Sequence, residues 1–301
     1  MTTFRAGFAC LVGRPNAGKS TLTNALVGTK VAITSARPQT TRHAVRGIVH
    51  RPDAQLVLVD TPGLHRPRTL LGERLNDVVR ATWVEVDVVG LCLPADQDVG
   101  PGDRYIATEL ATLGKTPVLA VVTKTDLASR ERVAAQLLAT QRLADSVGLE
   151  LAELVPVSAV AGDQVGLLAD LLVARLPEGR PLYLAGELTD EPEEVLVAEL
   201  IREAALEGVR DELPHSLAVA VDEMLREEGR DLVVVHATVY VERASQKPIV
   251  LGAAGARLKE VGVAARRQIE ALLGSRVYLD LHVSVLKDWQ RNPKQLRRLG
   301  F

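Results

Sequence analysis

Residues 13 to 20 read GRPNAGKS, with glycine at the first and sixth positions and Lys19 and Ser20 after the second glycine. This spacing fits the phosphate-binding loop pattern G-x-x-x-x-G-K-[ST] at every fixed position. The backbone N–H groups of such a loop surround an anion, and its glycines let the main chain approach phosphate oxygens. Lys19 is then placed to reach the β- and γ-phosphates, and Ser20 to ligate Mg²⁺. The pattern predicts a nucleoside triphosphate site at Gly13, Arg14, Pro15, Asn16, Ala17, Gly18, Lys19, Ser20 and Thr21.

A second group of chemically active residues follows the apolar run at 56–59 and consists of Asp60, Thr61, Pro62 and Gly63. A continuous apolar run of this kind is typical of a strand buried on both faces of a parallel sheet. Asp60 is placed to hold Mg²⁺ through water, and the Gly63 N–H to sense a γ-phosphate. The segment therefore predicts the metal and γ-phosphate side of the same site.

Two later segments predict which base is bound. The apolar run at 117–122 leads into Thr123, Lys124 and Asp126, and a carboxylate at 126 can accept two hydrogen bonds from guanine N1–H and N2–H₂. Adenine has no such pair of donors. Ser158 and Ala159 end a further apolar segment, where a backbone N–H can meet guanine O6. Motifs that follow successive strands gather at the carboxyl edge of a parallel sheet, and their spacing matches a guanine-nucleotide fold of about 170 residues.

The elements that must position these residues are alternating strands and helices up to about residue 176. This alternation predicts an α/β domain with a mostly parallel sheet flanked by helices. Pro177, Gly179 and Pro181 then break the pattern. We predict a guanine-nucleotide-binding (G) domain at 1–176, a linker at 177–192 and a smaller α+β domain at 193–301. In the smaller domain a helix precedes two antiparallel strands at 216–227 and 231–243, and a strand-like segment follows at 247–251.

The smaller domain carries a G-x-x-G turn made of Gly252, Ala253, Ala254 and Gly255, placed before a helical segment. This arrangement is typical of a KH domain, whose turn clamps the backbone of single-stranded nucleic acid, and the family resemblance described below implies that the domain is of type II. Residues 178–242 hold 17 acidic and 5 basic side chains, whereas residues 243–301 hold 12 basic and 4 acidic ones. We expect phosphate contacts from the backbone of the turn and from Lys247, Arg257 and Lys259. Tyr278 and Trp289 either stack on bases or pack in the core.

Composition is compatible with a two-domain globular protein, because 301 residues exceed one ordinary core and 47% of them are hydrophobic. Cys10 and Cys92 lie in apolar runs without metal-like spacing, so we expect no disulfide and a reducing compartment. No basic leader and no run of 18 apolar residues is present in the sequence. We expect a cytoplasmic monomer, and a peripheral inner-membrane fraction is left open.

The segments GRPNAGKST, DTPG, PQTTRH at 38–43 and TKTD resemble the translation-factor-related GTPases. The carboxyl-terminal third narrows the resemblance to the Era family of bacterial ribosome-assembly GTPases, and the resemblance covers essentially the whole chain. It implies slow hydrolysis of GTP to GDP and phosphate, with in-line attack by water. It also implies binding of small-subunit ribosomal RNA near its 3′ end and a role in 30S subunit assembly.

The resemblance further implies roles for individual residues. Lys19 and Mg²⁺ supply most of the charge stabilisation, and Gly63 contacts the γ-phosphate. Thr41 is the candidate switch residue that completes the Mg²⁺ shell, with Thr40 as the alternative because spacing does not separate the two. Leu64 stands where Ras-like proteins have a water-positioning Gln. Related GTPases with this substitution use the P-loop Asn, here Asn16, to hold K⁺; the other interpretation is that Asn16 only stabilises the loop turn.

Two departures from the family pattern carry expectations of their own. Thr123 stands where the family has Asn, so we expect loss of the amide that braces the P-loop and contacts the base N7, and lower nucleotide affinity. Ala253 and Ala254 replace more polar residues, so some RNA affinity is expected to be lost. Two other functions stay open, namely a GTPase coupled to RNA modification and a nucleotide-binding factor with negligible turnover. The first is disfavoured because such enzymes carry a large domain ahead of the GTPase and a cysteine near the end.

Overall fold

The computed structural model describes residues 3–34, 44–64, 69–207, 213–226 and 229–299. The chain forms two compact units, and the boundary in the chain falls between Asp190 and Glu191. No helix within these described ranges is long and apolar enough to cross a membrane.

The first unit is built on a six-stranded sheet with the order β2-β3-β1-β4-β5-β6, in which only β2 runs antiparallel to its neighbour. The strands are β1 (Arg5–Val12), β2 (Val45–His50), β3 (Ala54–Asp60), β4 (Val88–Pro94), β5 (Val118–Thr123) and β6 (Leu151–Pro156). The helices are α1 (Lys19–Val27), α2 (Leu70–Glu85), α3 (Pro101–Leu110), α4 (Arg130–Val147) and α5 (Val165–Val173). The mostly parallel α/β sheet predicted from the sequence is confirmed.

Apolar cores lie on both sides of this sheet. Residues of α1 and α5 pack on one core, and residues of α2, α3 and α4 pack on the other. Cys92 belongs to the first core and Cys10 to the second, and both are free thiols. Burial raises the pKa of the Cys92 thiol to about 12 and raises that of Cys10 as well. Neither thiol is therefore a nucleophile at neutral pH.

The segment after the first unit's last helix is held against the sheet rather than extending freely. The backbone N–H of Ile48, in edge strand β2, donates to the Leu188 carbonyl oxygen at 2.9 Å. The buried Gln55 side chain accepts a hydrogen bond from the Leu182 N–H at 2.6 Å. Buried and edge backbone groups need hydrogen-bond partners, and this segment supplies them. The predicted linker at 177–192 therefore differs from the structure, since residues up to 190 belong to the first compact unit.

The second unit has a three-stranded sheet with the order β7-β8-β9, in which β8 pairs antiparallel with β7 and parallel with β9. Its elements are α6 (Glu193–Leu206), α7 (Leu213–Ser216), β7 (Ala218–Arg226), β8 (Leu232–Val241), α8 (Lys247–Leu251), α9 (Ala256–Leu273), β9 (Arg276–Val285) and α10 (Pro293–Arg298). The predicted antiparallel strand pair is confirmed. Helix α6 and helix α9 cover the sheet, which is the layering expected of the KH domain.

The strand-like segment predicted at 247–251 is wrong, because these residues form helix α8. A short apolar run fits a strand and a buried helical turn equally well by periodicity. Here Pro248 occupies the first turn of the helix, where its missing N–H costs no hydrogen bond. Val250 is buried while Ile249 is exposed, so one face of the turn packs on the domain.

Candidate nucleotide site and nucleic-acid interface

The phosphate-binding loop connects β1 to α1, as predicted. Gly18 is the N-cap of α1 with φ 89°, a left-handed conformation that glycine adopts without strain. A side chain at Gly13 would lie 2.6 Å from the Cys92 carbonyl oxygen, so the loop passes too close to β4 for any other residue. The loop leads directly into the N-terminus of α1, the end of a helix that favours an anion.

Lys19 is buried at the base of this loop. Its Nζ donates to the carbonyl oxygens of Gly13 at 3.2 Å and Arg14 at 3.0 Å. Burial lowers the pKa of Lys19, and the nearby Asp60 carboxylate opposes that shift. The loop thus holds a cation at the position where phosphate charge would be neutralised.

Ser20 and Asp60 lie together at the carboxyl edge of the sheet. The Ser20 hydroxyl donates to Asp60 Oδ2 at 2.6 Å. Hydroxyl and carboxylate oxygens are the hard ligands that Mg²⁺ prefers, so the two predicted metal residues fit this ion. Thr41, the third predicted metal residue, and its alternative Thr40 lie outside the described residues.

The DTPG segment packs directly on the P-loop. The Thr61 hydroxyl donates to the Leu11 carbonyl oxygen at 3.2 Å. A side chain at Gly63 would approach the Pro15 backbone to 2.8 Å, so only glycine fits beside the loop. Leu64 is buried in the core with residues of β1 and β4, and its side chain cannot orient a water molecule by hydrogen bonding.

A cavity of about 140 Å³ lies between the P-loop and the ends of β5 and β6. Asp126 lines the cavity, and the buried Ser158 hydroxyl donates to its Oδ1 at 2.6 Å. This bond fixes the carboxylate that is predicted to read guanine. Lys124, which has a left-handed conformation with φ 57°, and Ala159 also line the cavity.

The hydrogen bond made by Thr123 contradicts one expectation drawn from its residue type. The sequence predicted that the P-loop would lose its brace, but the Thr123 hydroxyl donates to the Ala17 carbonyl oxygen at 2.6 Å. Both residues are buried. The hydroxyl therefore links the last residue of β5 to the P-loop, because its one proton is donated to a loop carbonyl oxygen.

A groove of about 410 Å³ in the second unit runs along α9 and β9, beside the G-x-x-G turn. Its floor is apolar and its rim carries Lys259, Arg266 and Tyr278, the last of these 57% exposed. The full lining is Gly255, Leu258, Lys259, Gly262, Val263, Arg266, Tyr278, Leu279 and Leu281. An apolar floor with basic and aromatic edges suits stacked bases and a phosphate backbone. Trp289 is instead fully buried and donates to the Ser216 carbonyl oxygen, so it is a core residue.

Family models match each unit separately. A model described as a 50S ribosome-binding GTPase matches residues 8–124, and a KH domain model matches residues 212–290. The chain is 70% identical to GTPase Era of Streptomyces coelicolor over 100% of this chain and 96% of that protein. It is 68% identical to GTPase Era of Mycobacterium avium over the full length of both.

The chain belongs to the Era family of GTPases.

Solved Era structures agree with this assignment. One of them is a crystal structure of Era in complex with MgGDPNP and nucleotides 1506–1542 of 16S ribosomal RNA. Its Era chain is 36% identical in sequence to the present chain, the superposition covers 99% of each chain, and the TM-score is 0.93. A structure of Aquifex aeolicus Era bound to GDP and AlF4⁻ is 35% identical, with the same coverage and the same TM-score. The predicted combination of a P-loop GTPase domain and a KH domain is confirmed, and the chain is a GTP-hydrolysing enzyme that uses Mg²⁺.

Three residues of the G-x-x-G turn, at the head of the KH groove, have positive φ angles. Gly252 and Gly255 have positive φ angles of 72° and 78°, and Ala254 has φ 49°. A side chain at Gly252 would meet the Arg257 Cβ at 2.7 Å. Ala253 and Ala254 are exposed, so the turn presents backbone and methyl groups to its surroundings.

Arg257 has different partners from those expected. From the sequence we expected Arg257 to contact an RNA phosphate. In the structure its Nη2 donates to the carbonyl oxygens of Ala205 at 3.3 Å and Glu207 at 2.5 Å. These are terminal carbonyls of α6, the end of a helix that attracts a cation. Arg257 therefore joins the start of α9 to the end of α6. Lys259 is exposed and lines the groove, and the half-buried Lys247 begins α8.

Several residues of these sites were not found from the sequence. Leu127 and Val160 line the base cavity although both are more than 60% exposed. Asp103, which is 1% exposed, forms an ion pair with Arg14 at 2.7 Å and so attaches the P-loop to the start of α3. Only the position of Asp103 three residues after Gly100, in a helix-capping pattern, is visible in the sequence.

Proposed function

We propose that this Era-family GTPase binds the 3′ segment of 16S ribosomal RNA under control of the bound guanine nucleotide. It acts as a cytoplasmic monomer in assembly of the 30S subunit. The proposal rests on one observation: the same chain has a cavity lined by Asp126, which suits guanine, and a groove along α9 and β9, which suits single-stranded RNA. A solved relative with both corresponding ligands, GDPNP and a 16S ribosomal RNA fragment, covers 99% of this chain.

The groove supports single-stranded rather than duplex RNA. Its apolar floor, which includes Leu258, Leu279 and Leu281, can be reached only by bases that are not paired in a helix. The exposed Tyr278 ring gives one base a stacking surface, and Lys259 gives a cation beside the backbone. The N-terminus of the 18-residue helix α9 begins at the turn and adds a positive dipole end.

In the nucleotide site, the chain's own residues hold and neutralise phosphate charge. Lys19 and the loop N–H groups neutralise the β- and γ-phosphates, and the Gly63 N–H faces the γ-phosphate. Ser20, Asp60 and Thr41 hold Mg²⁺, which supplies further neutralisation when bound. Because Leu64 is buried and cannot position water, we assign a K⁺ site to Asn16, whose φ of 62° turns the loop sharply.

Capture of RNA from a cell lysate tests the proposed target. The tagged full chain is incubated with lysate in a nonhydrolysable GTP analogue or in GDP, and the retained RNA is sequenced. We expect enrichment of the 3′ end of 16S ribosomal RNA in the analogue sample. Equal enrichment of transfer RNA or messenger RNA, or none at all, contradicts the proposal. Fractionation of the same cells separates a cytoplasmic protein from one with a peripheral membrane fraction.

A further inference from the structure

Thr123 is the last residue of β5, and its side chain lies between two parts of the nucleotide site. It lines the base cavity on one side, and on the other its hydroxyl donates to the Ala17 carbonyl oxygen at 2.6 Å. Ala17 directly precedes Gly18 and Lys19 in the P-loop. Thr123 is 4% exposed and Ala17 is 1% exposed, so water does not compete for this hydrogen bond.

The chemistry of the hydroxyl group limits what else Thr123 can do. A threonine oxygen carries a single proton, and here that proton is directed at Ala17. The same side chain then has no donor left for an acceptor atom on the base. An asparagine amide carries two donor protons and can serve both partners at once. The Thr123 side chain therefore has no proton to donate to a purine acceptor such as N7, the acceptor of the five-membered ring.

We propose that Thr123 is a positioning residue that fixes the P-loop through Ala17, and that it leaves the cavity insensitive to purine N7. Guanine selectivity then rests on the other edge of the base, at Asp126. The Ser158 hydroxyl holds that carboxylate at 2.6 Å independently of Thr123. Fixing the loop and reading the base are thus separate tasks of two residues that line the same cavity.

The first test uses the unmodified full chain and asks whether N7 is read. A fluorescent GDP labelled on the ribose is bound, and GDP or 7-deaza-GDP is used to displace it. The 7-deaza compound replaces N7 by C–H and leaves the other guanine edge intact. We expect the two dissociation constants to agree within about twofold, since no donor is lost. A dissociation constant more than about fivefold weaker for 7-deaza-GDP overturns the proposal.

Two variants test the positioning role. Thr123→Val has nearly the same shape but no hydroxyl, so the buried Ala17 carbonyl oxygen loses its donor. We expect GDP and 7-deaza-GDP both to bind about tenfold more weakly, through faster dissociation and with an unchanged ratio. Thr123→Ser keeps the hydroxyl and is expected to stay within about threefold of the unmodified chain.

Binding is measured well below the unfolding midpoint of each variant, so that a loss of global stability alone leaves the dissociation constants unchanged. Wild-type affinity in Thr123→Val, or a changed ratio between the two nucleotides, overturns the proposal. If Thr123→Val does not fold, the 7-deaza comparison and Thr123→Ser decide. In that case the role of the hydroxyl is contradicted if Thr123→Ser, which keeps the hydroxyl, binds GDP about tenfold more weakly than the unmodified chain.

Discussion

Replacing Ala254 by aspartate places a negative charge in the G-x-x-G turn at the head of the KH groove. Ala254 is exposed and has φ 49° and ψ 30°. Asparagine and aspartate adopt this left-handed conformation more readily than alanine, so neither Ala254→Asp nor Ala254→Asn strains the turn. The two variants are nearly identical in shape and differ in charge. Comparison of the two therefore isolates electrostatic repulsion of the RNA backbone.

The magnitude follows from Coulomb's law. At about 6 Å from one phosphate, a unit charge costs about 0.7 kcal/mol in water and about 3 kcal/mol at the effective dielectric constant of a protein surface. We expect Ala254→Asp to bind RNA about 3- to 150-fold more weakly than Ala254→Asn at low salt. The difference should shrink as salt rises, because exposed charges are screened.

Fluorescence anisotropy with a 16S 3′-end RNA oligonucleotide measures this difference, and thermal unfolding confirms that both variants are folded. Arg226→Gln is the matched control in the same unit. Arg226 forms an exposed ion pair with Glu193 at 2.9 Å, far along the chain from the turn, so its loss is worth little. Equal RNA affinity for Ala254→Asp and Ala254→Asn would refute the assignment of the turn as a phosphate clamp.

Three further predictions concern single residues of the two sites. Asp126→Ala should reduce the preference for GTP over ATP by roughly 100-fold or more, because the site then lacks the carboxylate that accepts hydrogen bonds from guanine. Competitive binding of GTP and ATP measures this preference. GTP hydrolysis should be faster in K⁺ than in Na⁺ at equal ionic strength, and Asn16→Ala should remove the difference; equal rates retire the K⁺ site. Lys259→Met should reduce the slope of log K for RNA against log salt by about 0.7, as expected for one lost phosphate contact, whereas Arg257→Met should weaken binding without changing the slope. A reduced slope in Arg257→Met would place that side chain at a phosphate.

That the candidate nucleotide-site residues lie close together was predictable, because this clustering follows from local sequence. The glycines of the P-loop, the Ser20 and Lys19 pair and the DTPG segment each lie at the carboxyl end of an apolar strand, and parallel strands bring those ends together. Ser20 and Asp60, 40 residues apart, accordingly meet at 2.6 Å. Thr41 lies outside the described residues, and its role stays a prediction.

Partners chosen by tertiary packing were not predictable. The acceptor of the Thr123 hydroxyl is 106 residues away, and residue type alone suggested a missing brace rather than a different one. Arg257 was assigned to phosphate because it is basic and follows the G-x-x-G turn. The carbonyl groups that hold it belong to the end of α6, 50 and 52 residues earlier. In each case a buried or terminal backbone acceptor needed a donor, and that need is visible only in the folded chain.

The most direct test of the nucleotide-controlled RNA switch measures the affinity of the full chain for the 16S 3′-end RNA in two nucleotide states. One sample is saturated with a nonhydrolysable GTP analogue and Mg²⁺, and the other with GDP and Mg²⁺. We predict RNA binding at least about fivefold tighter with the analogue, and by linkage the RNA must tighten the analogue relative to GDP by the same factor. Equal RNA affinity in the two states would contradict control of RNA binding by the nucleotide.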